Sequence, residues 1–119
     1  MWMITKVGLF SIVAHRADSE IMIVRARDRK HLEQLSSLNP TGQLEILDSP
    51  DADYPCRVIM DKARWGVIAE WLVYEIDYTN FKDACANCLD LSDNYIAFLH
   101  HVWALGRTLT PKKQGDKHE

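Results

Sequence analysis

Residues 1–14 carry apolar side chains on both faces of an extended chain, with Trp2, Ile4, Phe10 and Ile12 alternating against Met3, Val7, Leu9 and Val13. Successive side chains of a strand point to opposite sides of its sheet, so a strand that is apolar in both directions needs cover on both. The segment's β-branched and aromatic residues favour the extended state. One layer of helices can cover only one of its faces. The far side has to be met by something else, and that requirement constrains what the chain can be.

The rest of the chain supplies the layer. Arg16-Ala17-Asp18-Ser19 reads as a connector, and residues 21–27 alternate again, with Met22, Val24 and Ala26 on one face and Ile23, Arg25 and Arg27 on the other, so a hairpin with the first strand is expected. Asp28 is placed to cap a helix whose stripe is Leu32, Leu35 and Leu38, ended by Asn39-Pro40-Thr41-Gly42. Leu44 to Leu47 reads as a short strand. Tyr54 to Met60 reads as another, with Tyr54, Cys56, Val58 and Met60 facing one way and Pro55 removing a ladder donor near its start. Asp61 precedes a helix over 62–77 whose Trp65, Ile68, Ala69, Leu72 and Ile76 follow the 3.6-residue period. A short helix from Phe81 to about Cys88 follows. Ser92 then opens a last one, with Ile96, Leu99, Val102, Trp103 and Leu109 inward and Thr110-Pro111 at its end. The expectation is an α+β domain over 1–111, with an antiparallel sheet of about four strands in β-β-α-β-β-α order, further C-terminal helices, and helices on one face. A ferredoxin-like sandwich is the alternative. The charged stretch 112–119 is expected to be disordered.

Composition narrows the function classes. The 119 residues are 47% hydrophobic and 26% charged, with a formal net charge of -3, so no overall positive field draws the chain to nucleic acid or to anionic lipid. Any such partner needs a local patch. No window offers the run of about 18 apolar residues that a membrane span requires, and residues 1–13 lack a basic leader and a cleavage site, so a cytoplasmic protein is expected. Phosphate-loop, dinucleotide, zinc-protease and serine-hydrolase motifs are absent, the five glycines are scattered, and no cofactor is expected.

Cysteine and histidine spacing is the sharpest pattern by which a sequence shows a metal site. Cys85-Ala86-Asn87-Cys88 is a C-x-x-C with His100 some twelve residues on, yet it supplies only two ligands of a tetrahedral set and falls in a helix, where two cysteines three apart pack as small hydrophobes. His101 could serve as a general base if a carboxylate oriented it, and no nucleophile accompanies it in sequence. The best physical case for a ligand is a cluster of Arg25, Arg27 and Arg57, joined by Lys6, because convergent guanidiniums hold phosphate or carboxylate by charge-assisted bonds. Its bland counterpart is closure of the same arginines by Asp51, Asp53, Glu75, Asp77 or Asp83. On the long helix Trp71 and Tyr74 lie off the apolar stripe and call for a second neighbour or a partner.

Four stretches together resemble a family of small bacterial proteins of uncharacterised function that open with a tryptophan-containing strand and a Gly-Phe-Phe-Ser-like segment. They are Met1 to Thr5 with Gly8 to Val13, Val24 to Arg27 with His31-Leu32-Glu33, Ala52-Asp53-Tyr54 with Arg57-Val58 and Trp65, and Glu75 to Asp83, with a closing His101-Val102-Trp103. Leu9 stands in place of a second aromatic, and Cys85 and Cys88 fall outside the pattern. The resemblance implies a compact domain and carries no activity. Within those stretches Arg25, Arg27, Arg57, Tyr54, Tyr78, Asn80 and Lys82 are polar residues that form either an internal network or the rim of an anion or peptide site. The leading expectation is a non-enzymatic interaction module binding a protein partner or a second copy of itself. A small-anion or nucleotide enzyme using the arginines and His101 is the alternative, and a nucleic-acid accessory protein the third.

Overall fold

The computed structural model describes residues 1–38, 42–88 and 91–112. The chain divides into two compact units, Met1–Thr79 and Asn80–Glu119. The first unit is an antiparallel five-stranded sheet with two helices, as the α+β expectation requires. Strands β1 (Trp2–Thr5), β2 (Gly8–Ala14) and β3 (Ile21–Ala26) run in succession, followed by α1 (Arg29–Leu38), β4 (Leu47–Asp48), β5 (Cys56–Asp61) and α2 (Lys62–Tyr74). The spatial order is β1-β2-β3-β5-β4. Three strands precede the first helix, so the ferredoxin-like alternative, which places a helix between its first two strands, does not hold.

Residues 1–14 form two strands rather than one. Thr5 makes the difference: its hydroxyl accepts the backbone N–H groups of Val7 (3.2 Å) and Gly8 (3.1 Å) and donates to the Gly8 carbonyl (2.9 Å), closing a tight turn at Lys6-Val7. Gly8 leaves this turn with φ +148°, a backbone state that side chains oppose. The fold-back pairs Trp2 with Ser11 and Met3 with Phe10. Trp2 and Phe10, in phase along an unbroken strand, therefore lie on opposite faces of the sheet.

Cross-strand partners share a face, so the register sorts the rest. The inner face carries Met3, Phe10, Ile12, Met22, Val24, Ala26, Cys56, Val58 and Met60, and these form one core with Leu32 and Leu35 of α1 and Trp65 and Ile68 of α2. Phe10, Val24, Leu32, Leu35 and Ile68 are fully enclosed. Local chemistry fixes the helix starts. The Asp28 carboxylate accepts the Lys30 N–H at 2.9 Å, and the Asp61 carboxylate accepts the Arg64 N–H at 2.7 Å, a cap worth about 1 kcal/mol.

Several expected boundaries move. β5 begins at Cys56, and Tyr54 belongs to the loop before it, so the alternation does not extend to Tyr54. Of the fourth segment, expected over Leu44 to Leu47, only Leu47 pairs with β5, joined by Asp48 just beyond it, while Leu44 is buried in the core. α2 stops at Tyr74 with Glu75 as its C-cap, which leaves Ile76 beyond the helical period and 57% exposed. Trp71 is half-buried and Tyr74 exposed. The expected terminator at residues 39–41 and the tail 113–119 lie outside the described residues.

The second unit contains α3 (Phe81–Ala86), α4 (Asp93–Gly106) and a 3-10 turn (Arg107–Leu109). Asn80 caps α3 by accepting the Asp83 N–H at 3.0 Å, and Ser92 caps α4 by accepting the Tyr95 N–H at 3.2 Å. Cys85, Tyr95 and Leu99 are buried, and the Tyr95 and Phe98 rings stack at 5.9 Å. Trp103 and Leu109, expected inward, are exposed. Among the described residues no helix is long and apolar enough to cross a membrane.

Candidate site on the outer sheet face

The face of the sheet opposite α1 and α2 has its own pattern. Trp2, Ser11, Arg25, Arg57 and Leu47 occupy one continuous row across all five strands. Val13, Ile23 and Ile59 form the row on one side of it, and Ile4 and Leu9 are paired on the other side. Apolar side chains thus surround two arginines at the centre of the face. Trp2 is 76% exposed, Ile59 46% and Leu47 40%.

Arg25 and Arg57 are directly opposite on β3 and β5, with backbones about 5 Å apart. Like charges in such positions repel. Several contacts hold the cluster in place. Ser11, only 1% exposed, accepts a hydrogen bond from Arg25 Nη2 at 2.7 Å. Tyr54 presents its ring to two guanidiniums, 4.5 Å from Arg25 and 4.6 Å from Arg27, an arrangement in which ring quadrupole and cation attract. Arg27 Nη1 donates to the Asp53 carbonyl at 2.8 Å.

None of the three arginines is ion-paired among the described residues, whose ion pairs are Lys6–Asp77, Arg29–Glu33, Arg29–Asp48 and Lys62–Glu20. The acidic residues that could have closed the cluster do not do so, and Asp53 lends only its backbone oxygen. The Nε atoms of Arg25 and Arg57 are enclosed and have no hydrogen-bond partner. Enclosed donors normally find an acceptor, and one left without costs about 1–3 kcal/mol.

The other sequence candidates serve elsewhere. Lys6 sits in the β1–β2 turn, 4.0 Å from Asp77 and 5.7 Å from the Tyr78 ring, rather than joining the arginines. Asn80 is a helix cap, and Lys82 lies 4.4 Å over Trp103, which Arg107 also approaches at 5.5 Å. His100 and His101 are exposed on α4. Cys85 is buried and Cys88 half-buried, and among the described residues no three His, Cys, Asp or Glu side chains converge as a metal site requires. Cys56 donates to the Ala26 carbonyl at 3.2 Å, and burial pushes its thiol up, which keeps it protonated. Ser11, Trp2 and the position of Tyr54 were not found by sequence reasoning. The signal for Tyr54 was present in Pro55, which marks where pairing begins.

Comparison with protein families, with curated proteins and with solved structures finds no match for this chain.

Proposed function

We propose that the chain is a non-enzymatic interaction module that takes an acidic segment of a protein partner on the outer face of its sheet. The observation that carries this reading is the convergence of Arg25, Arg27 and Arg57 without a carboxylate, amid exposed Trp2, Ile4, Ile59 and Leu47. Charge sets register and approach, and the apolar surround supplies area. Self-association through this face is disfavoured, because a two-fold axis would set the central arginines of one copy against those of the other. The enzymatic alternative lacks support at His101, which has no hydrogen-bonded carboxylate among the described residues to orient it.

Titration with labelled oligoglutamate tests the proposal. Binding is expected to weaken as salt rises, and Arg25→Gln or Arg57→Gln is expected to weaken it about tenfold, while Arg16→Gln in the connector leaves it unchanged. Equal affinity of the native chain and both variants would refute the reading. So would tighter binding of a single-stranded oligonucleotide than of oligoglutamate.

A further inference from the structure

The outer face carries a more specific feature than general positive charge. Arg25 and Arg57 place two guanidiniums on adjacent strands, each with an enclosed Nε–H that has no acceptor. The Arg57 guanidinium makes no hydrogen bond or ion pair at all among the described residues, whereas Arg25 is steadied by Ser11 and Tyr54. One guanidinium is therefore oriented and its neighbour is uncommitted, and the two repel until something of opposite charge lies between them.

We infer that the Arg25–Arg57 pair is a phosphoryl-binding subsite, which takes a phosphomonoester group on the partner segment. This rests on the outer face being a binding surface. A carboxylate is planar, offers two oxygens and one negative charge, and is matched by a single guanidinium edge. A phosphomonoester offers three terminal oxygens and a charge of about -1.5 to -2 at neutral pH, which suits two guanidiniums approaching from neighbouring strands. Arginine clusters that read phosphorylated or acidic segments work by this matching of charge and oxygen count. Trp2 lies in the same cross-strand row, two strands from Arg25, so an aromatic or apolar group beside the phosphate has a surface to rest on.

The enclosed Nε–H groups provide the readout, because shielding from water slows their exchange and makes their side-chain resonances observable by nitrogen-edited NMR. Phenyl phosphate is expected to shift the Arg25 and Arg57 Nε–H signals saturably, and benzoate to bind about fivefold or more weakly. Inorganic phosphate should shift the same two signals, which assigns recognition to the phosphoryl group rather than to the ring. A peptide carrying phosphoserine should outbind its serine counterpart, and Arg57→Gln should abolish the difference. Equal response to phenyl phosphate and benzoate, or shifts spread evenly over the exposed arginines, would overturn the subsite. If oligoglutamate still binds and depends on Arg57 in that case, the acidic-partner reading survives without it. If oligoglutamate binding is lost as well, both fail.

Discussion

Gly8→Ala is expected to destabilise the first unit by about 3 kcal/mol or more, enough to lower the urea midpoint sharply or to prevent accumulation of folded chain. Two independent costs add at this position. The backbone has φ +148°, where a side chain is strained. A Cβ built there would also overlap Cγ of His31 and come within 2.5 Å of its Cβ and 2.7 Å of its Nδ1. These atoms are the root of the imidazole, so relief requires moving α1 away from the sheet. Gly66→Ala on α2, where an added Cβ meets nothing within 4 Å, is the matched control and should be tolerated. A Gly8→Ala chain as stable as the native one would show that the α1–β2 approach is looser than described.

His31 makes that approach sensitive to acid. Its side chain is 8% exposed and packs edge-on to Phe10 at 6.4 Å between centroids, and its Nδ1 accepts the Leu9 N–H at 3.3 Å. Burial lowers its pKa below the ordinary value, against partial opposition from the negative charge of Asp28. Because the folded form holds its proton less tightly than the unfolded chain, the contribution is complete above the unfolded pKa of about 6.5. It declines as the pH falls from there towards the folded pKa, and becomes level below that. Denaturant midpoints measured from pH 7.5 downward should therefore fall in the native chain. They should fall less in His31→Asn, whose Oδ1 can still accept the Leu9 N–H but does not titrate. His31→Leu removes the acceptor and is expected to cost about 2 kcal/mol at neutral pH. Identical pH dependence in the native chain and His31→Asn would contradict this account.

Much of the architecture is legible in the residues themselves. Asp28, Asp61 and Ser92 mark helix starts because a short acceptor before an apolar run has few other uses, and each accepts a backbone N–H of its helix's first turn. Met22, Val24 and Ala26 against Ile23 and Arg25 read directly as two faces, and the register bears that out. What could not be read is long-range or turn-specific. The bend at Lys6-Val7 is made by a threonine hydroxyl rather than by the usual asparagine-glycine pair, so an unbroken strand was the natural expectation, and with it the wrong phase for Trp2 relative to Phe10.

The same limits shaped the candidate site. The arginines stand out as charges at alternating positions of apolar strands, but their adjacency depends on which strand lies beside which, and β3 pairs with β5 across an intervening helix and β4. A buried serine is silent in sequence, yet Ser11 is what orients Arg25. Tyr54, Pro55 and the acidic loop before them promised ion pairs. The structure instead has the tyrosine ring against two guanidiniums, and among the described residues no carboxylate is ion-paired with the cluster.

The measurement that bears most directly on the central claim is backbone-amide chemical-shift mapping of the isotope-labelled chain against oligoglutamate. The account predicts that perturbed amides cluster on β1, β2, β3 and β5 around Trp2, Ser11, Arg25, Arg57 and Ile59, with α1 and α2 on the opposite side of the sheet unaffected. Perturbations centred on α1 and α2, or within Asn80–Glu119 alone, would contradict it.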